Sequence, residues 1–266
     1  MPFMFAHPAV AVPLCSRLGR VGVLSALVMG SMAPDMHYFL PFPVDRTESH
    51  SLLGLLWFCL PVGFAMYLVF HLVLKLPLFL LLPPAVAGRL APFVSARSLL
   101  PKSSWAAVVV SLGVGALTHL AWDAFTHSNG LGTRVLPMLH AHLIFVGRYD
   151  VHLYQVVQHV SSVTGVALLG LWSWRWLRAA PMHAVQTVPF APSARQRAAI
   201  VSFLFGVVGL LAVASASSAW SVPMSIFVVR DMLREALLTV ISVLGVACLA
   251  YSVVWHVLSW RERRAD

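Results

Sequence analysis

Thr118-His119-Leu120-Ala121-Trp122-Asp123-Ala124-Phe125-Thr126-His127 is the stretch on which the reading of this chain turns. It closes an apolar run that begins near Ser104. His119, Asp123 and His127 recur at intervals of four, so a helix stacks them along one face. Imidazole and carboxylate are the ligand types taken up by zinc and similar divalent ions. At membrane depth such a stripe is costly unless something compensates it, which makes it a functional candidate.

The composition around the stripe points to a membrane. Of 266 residues, 59% are hydrophobic and 10% charged, and the mean hydropathy is +0.84. A soluble domain carries roughly 25% charged residues. The expected class is all-α: a polytopic membrane helix bundle with about five full crossings and an N-terminal region of short helices, re-entrant if it forms a hairpin. The formal charge of +9 does not indicate nucleic acid, because the basic residues lie scattered at the ends of apolar runs instead of clustering on one face. Cys15, Cys59 and Cys248 form no close pair, which excludes a disulfide framework or a cysteine-based metal site. Residues 1–8 lack a basic segment followed by an apolar core and cleavage site, so no removable signal is expected.

Outward from the stripe, the chain falls into apolar runs. Residues 8–33 are interrupted by Arg17, Gly19, Arg20 and Gly22. They make either one short span from about Val21 to Ala33 or two short helices turning at Ser16 to Arg20, neither reaching the ~20 residues of a full crossing. Spans are expected over Leu52 to Leu74 (kinked at Pro61), Ser104 to Phe125, Tyr154 to Leu177, Ala198 to Trp220 and about Ala236 to Leu258. The proline-rich stretch from Lys75 to Lys102 reads as interfacial or re-entrant, and residues 128–153 as a polar, histidine-rich loop. The whole of 1–266 reads as a single integral-membrane domain, motif-bearing over 1–178 with a two-helix part over 179–266.

Thirteen of the 18 Lys and Arg residues fall on one side of this arrangement: Arg17, Arg20, Lys75, Arg89, Arg97, Lys102, Arg175, Arg178, Arg195, Arg197, Arg261, Arg263 and Arg264. Arg46, Arg134, Arg148, Arg230 and Arg234 fall on the other. The richer side is expected to be cytoplasmic, with the C-terminus. His119 then lies about 12 Å below His127, in the outer half of the bilayer.

Ligand-type residues collect near that outer side: His7, Asp35, His50, His119, Asp123, His127 and His159. His7 reaches it only if residues 8–33 form the hairpin. Each has a bland reading beside it. A solitary histidine in a membrane helix is more often hydrogen-bonded to a neighbour than metallated, the reading taken for His71, His183 and His256. His37, His140, His142 and His152 read as solvated or interfacial, and Asp35 as a helix-terminal residue near the interface. Asp123 is harder to dismiss, because a lone buried carboxylate has to stay protonated or find a cation.

Several motifs carry a family resemblance. Met1-Pro2-Phe3, Ala6-His7-Pro8, Gly30-Ser31-Met32-Ala33-Pro34-Asp35, Ser49-His50-Ser51-Leu52-Leu53-Gly54, the opening stretch and Gln158-His159-Val160-Ser161-Ser162 closely resemble the bacterial multi-pass family called domain of unknown function 4184. That family is similar, distantly, to membrane-bound metal-dependent hydrolases of the YdjM type. More remotely, the ligand order resembles that of zinc-dependent phospholipase C and P1-type nucleases.

The resemblance implies one metal held by Asp35, His50, His119 and Asp123, a second held by His7 with Asp123 bridging, and a third held by His127 and His159. It also implies Asp35 as general base. Two departures count against the third metal: Val163 stands where the pattern has glutamate, and no N-terminal tryptophan is present. One or two divalent ions, zinc first among them, are the expected cofactor.

The function this implies is metal-dependent hydrolysis of a phosphoester on a membrane lipid or lipid-linked substrate at the outer face of the bacterial cytoplasmic membrane. Arg46, Arg134 or Arg148 is expected to hold the phosphate charge. Two other classes stand beside it: a non-enzymatic metal-binding or transport protein, and a structural or partner-binding protein whose His/Asp cluster is a hydrogen-bonded core.

Overall fold

The computed structural model describes residues 4–94, 104–147, 149–185, 190–218, 220 and 226–265. Among the described residues it is all-α apart from one small hairpin, and five helices are long and apolar enough to cross a membrane. The chain divides into two compact units, Met1–Leu68 with Lys102–Ala179 and Val69–Pro101 with Ala180–Asp266. The second unit therefore takes in residues 69–101 as well as the C-terminal helices. Arg97, Lys102 and Arg148, used in the charge count, lie outside the described residues.

The first unit opens with two short helices, α1 (Pro8–Arg17) and α2 (Leu24–Met32). Pro8 starts α1 at a position where a missing N–H costs nothing. Gly19, at φ 55°, takes the left-handed conformation that lets the chain turn after Arg17. Residues 8–33 thus form the hairpin, and both the residue before it (His7) and the turn after it (Ala33–Tyr38) reach the same end of the unit.

α2 packs against α6 (Trp105–Thr126), which Ser104 caps by accepting the amide of Ala107 at 3.2 Å. The two backbones meet almost directly. A Cβ at Gly30 would lie 2.2 Å from the Leu112 carbonyl oxygen, and one at Gly115 would lie 2.3 Å from that of Leu27. Small residues at a helix crossing permit this approach, as is common where lipid surrounds the helices. Ser111 pins the start of α2 as well, accepting from the Val23 amide at 2.9 Å and donating to the Val21 carbonyl at 2.8 Å.

Between the two lies α3 (Arg46–Ser49), a single turn closed by a reciprocal capping box of Asp45 and Glu48. The next helix, α4 (Leu52–Leu80), begins where Ser51 accepts the Gly54 amide at 2.8 Å. Sequence places its end at Leu74, but the helix runs on through Pro77. Two π-helical turns, Leu55–Cys59 and Phe70–Leu74, precede the prolines at 61 and 77. A proline in a helix removes one N–H and crowds the carbonyl four residues back, and a widened turn accommodates this. For Pro77 that carbonyl is Val73, and His256 Nε2 donates to it at 3.0 Å.

Residues 75–80 therefore belong to a span rather than an interfacial stretch. α5 (Pro84–Leu90) follows, and residues 95–103 of that stretch lie outside the described residues. In the second unit Leu76, Phe79 and Leu80 pack with Ala87 and Trp255.

The segment after α6 is more ordered than a polar loop. It holds α7 (Leu131–Val135) and the antiparallel strands β1 (His142–Val146) and β2 (Tyr149–His152). Apolar side chains including Leu131, Ile144 and Phe145 lie exposed on it. His142 and His152 flank Asp150 there, where the sequence reads them as solvated. The remaining spans are α8 (Leu153–Ala179), α9 (Ala194–Ser218) and α10 (Ile226–Ala265), close to the expected bounds except that α10 starts earlier and ends later.

Candidate metal centre

Each donor reaches the centre by a local cause. The Gly30–Gly115 crossing brings the end of α2 against the last turns of α6. There His119 Nδ1 donates to the Ser31 carbonyl at 2.7 Å. That bond fixes the tautomer and leaves Nε2 with its lone pair facing inward, the arrangement usual for a metal-ligating histidine. Asp123 follows one turn along on the same face. Pro34 bends the chain into the 3₁₀ turn that carries Asp35, and α3 delivers His50. Ser49 Oγ lies 2.9 Å from His50 Nδ1 and 3.1 Å from His37 Nδ1, while His37 Nδ1 donates to the Pro34 carbonyl at 2.9 Å. His37 thus supports the centre from behind.

His7 enters from the other side. It is buried and its ring stacks on His119 with centroids 3.7 Å apart. Gly165 makes room for this approach, since a Cβ there would lie 3.0 Å from the Ala6 carbonyl oxygen and 3.1 Å from the Trp122 ring.

Two sets of donor atoms result, each within a 4.8 Å circle: His7, His119 and Asp123, and Asp35, His50 and His119. The sets share His119. Asp123 Oδ2 also lies 3.3 Å from His50 Nε2, which joins them. Asp35 Oδ1, Asp123 Oδ1 and His7 Nδ1 are buried without a hydrogen bond. Unmet carboxylate oxygens among imidazole nitrogens suit a divalent cation, which takes such oxygens together with neutral imidazoles.

The protonation states of His7 and Asp35 agree with this, while without an ion His50 is drawn toward its charged form by the carboxylates. Burial first, and then the neighbouring His119, push the His7 pKa down to about 3, so its ring is neutral at physiological pH. Burial works to raise the Asp35 pKa, but the His50 and His119 rings beside the carboxylate hold it below its ordinary value. Burial works to lower the pKa of His50, yet the carboxylates of Asp123 and Asp35 hold it above the ordinary imidazole range.

Two expected ligands stand apart from both sets. His127 lies at the rim, 3.5 Å from Asp123 Oδ2, and its ring nitrogens are engaged: Nδ1 donates to the Asp123 carbonyl at 3.3 Å, and Gln158 Nε2 is 3.0 Å from Nε2. Burial pushes its pKa down to about 4. His159 is exposed, as is Val163 four residues on. It sits one residue past Gln158, and a helix turns about 100° per residue, so Gln158 faces the centre and His159 faces away. His127 and His159, expected together at a third metal, are thus not brought to one point.

Three residues act here in ways the sequence did not indicate. Arg46 reaches inward from the rim, its Nη2 lying 2.5 Å from Asp123 Oδ2. Gln158 lies inside a quoted motif but is an amide, which a search for metal donors passes over. Thr133 is fully buried, and its hydroxyl lies 2.8 Å from the Gly130 carbonyl oxygen and 2.9 Å from that of His127, tying α7 to this end of α6. Arg134 is exposed, and Arg148 lies outside the described residues.

Fold and site together define a multi-pass helical membrane protein with a buried histidine–aspartate centre. The chain belongs to the family described as a domain of unknown function (DUF4184), which matches residues 1–253. No curated protein and no solved structure matches it.

Proposed function

We propose that the chain is a metal-dependent hydrolase that cleaves a phosphoester of a membrane lipid or lipid-linked substrate. One observation carries the reading: donors from four separate segments converge on unmet buried carboxylate oxygens. His7, Asp35, His50, His119 and Asp123 would hold one or two divalent ions, zinc first among them. Such ions lower the pKa of water toward ~7 and polarise a phosphoryl oxygen.

The protein's own groups supply the rest. His119 is held in one tautomer by Ser31, and His50 is oriented by Ser49. Asp35 is ionised, and a carboxylate oxygen of it that does not hold an ion would accept the proton of the attacking water. Arg46, one-third exposed, stands between Asp123 and solvent, where a phosphate arriving from outside meets a guanidinium suited to it. By the distribution of basic residues, the site opens to the outer face of a bacterial cytoplasmic membrane and the C-terminus is cytoplasmic.

The test is elemental analysis of the purified protein, together with release of phosphorylated headgroup from mixed phospholipid vesicles followed by phosphorus NMR. One or two equivalents of metal and chelator-sensitive release are expected. Asp123→Asn is expected to lower bound metal at least tenfold with membrane insertion intact. Full metal occupancy in that variant would remove Asp123 from the ligands, and a metal-free wild type stable to chelators would make the centre a hydrogen-bonded core instead.

A further inference from the structure

The side of the metal centre formed by His7 adjoins the seam between α1 and α8, and that seam is not filled by protein. Two apolar cavities, of about 400 and 580 Å³, lie along it. The first is lined by Ala9 and Val10 of α1, Trp122 of α6, and Val156, Val160 and Leu168 of α8. The second shares Ala9 and Leu168 with the first and continues to Cys15 and Trp172. The pair forms one apolar groove.

Its dimensions and chemistry select an occupant. From Ser161, which meets Trp122, to Trp172 at the far end of the groove the helix rises ~17 Å, close to the ~15 Å that one leaflet contributes to a ~30 Å hydrocarbon core. An incoming helix is ~10 Å across and does not fit a cavity of this size. The Trp122 indole and the Ser161 hydroxyl in the wall are already satisfied. Trp122 Nε1 donates to Ser161 Oγ at 3.1 Å, and Ser161 Oγ donates to the Gln158 carbonyl at 3.2 Å. The Trp122 ring forms the groove wall beside Ser161 and Gly165, and its centroid is 5.2 Å from that of His7. A chain running along the seam from Trp122 toward Trp172 therefore has its first end beside the donor set of His7, His119 and Asp123.

We propose that the α1–α8 seam binds one acyl chain of a phospholipid drawn from the surrounding bilayer, with the phosphate-bearing end at His7 and Asp123. The placement of the phosphate rests on the hydrolase reading; occupation of the seam does not. A bound chain differs from annular lipid in being saturable and confined to the groove.

The experiment uses detergent-purified full-length protein, a trace of phosphatidylcholine carrying a diazirine on one acyl chain, and peptide mapping after illumination. Labelling at Ala9, Val160 or Leu168 is expected to fall at least fivefold when excess unlabelled long-chain phosphatidylcholine competes. Phe203 and Leu210 of α9, both exposed, are expected to label weakly and without competition. Leu168→Trp, which fills the groove, is expected to remove the seam labelling at least fivefold, with bound metal unchanged as the check on folding. Val160→Trp gives a second such variant at a different depth.

Seam labelling no stronger or more competable than that of α9 would overturn the proposal. So would turnover of short-chain and long-chain phosphodiesters at equal kcat/KM, with both unaffected by Leu168→Trp; the hydrolase reading would survive that result. Competable seam labelling without turnover of any phospholipid would keep the acyl site and remove the hydrolase.

Discussion

At Asp123 a single carboxylate oxygen serves several neighbours. Arg46 Nη2 lies 2.5 Å from Oδ2, His50 Nε2 3.3 Å, His127 Nδ1 3.5 Å and His119 Nε2 3.6 Å. A guanidinium and a bound metal ion would therefore draw on the same carboxylate. A charge-assisted hydrogen bond contributes roughly 1.5–3 kcal/mol, and 1.4 kcal/mol is a factor of ten in affinity. Arg46→Met is accordingly expected to tighten zinc binding about tenfold in competition with a chelating dye, while lowering turnover of a phosphoester. Weaker zinc binding in this variant would mean that Arg46 supports the site instead of competing with the ion. Residue by residue, the histidines and aspartates of the centre were legible because their donor chemistry and helical spacing are local properties. Arg46 was not, since 77 positions separate it from Asp123 and nothing in its surroundings distinguishes it from Arg134.

At the scale of elements, α4 shows how a proline-interrupted helix stays continuous in an apolar setting. A backbone carbonyl deprived of its donor must find another, because lipid offers none. Pro77 leaves the Val73 carbonyl unmet by the helix, and His256 supplies the bond from α10. His256→Phe is expected to destabilise the protein by about 1–3 kcal/mol, measured by denaturant unfolding in micelles. Adding Pro77→Ala restores a backbone N–H to that carbonyl, so the double variant is expected to recover part of the loss. Strictly additive effects would refute the compensation. Sequence indicated that His256 is hydrogen-bonded rather than metallated, but not to what. It also ended the helix three residues before Pro77, because a proline is read locally as a stop while π turns and a tertiary donor permit continuation. The same limit applies to 128–153, where polarity suggested a loop and the chain forms α7 and a hairpin bearing exposed apolar side chains.

For the molecule as a whole, the proposed orientation rests on an uneven distribution of basic residues and is open to a direct test. Ser128, exposed just past His127, lies at the end of α6 that carries the centre. Ser128→Cys is expected to react with a membrane-impermeant maleimide in intact cells. Labelling that appears only after permeabilisation would invert the topology and place the centre toward the cytoplasm.

Composition alone determined that this chain is an all-α multi-pass protein, and the four-residue spacing of His119 and Asp123 alone determined one helix face of its centre. Both are properties of a contiguous stretch, set by hydropathy and by the 3.6-residue turn. Tertiary structure decided the rest. The turn at Gly19 brings His7 to the same end as Asp35. The contact of Gly30 with Gly115 brings Asp35 to His119, and the rotation of α8 presents Gln158 in place of His159. These outcomes depend on how closely backbones approach and which face each helix turns inward, and those are fixed only when separate elements pack together.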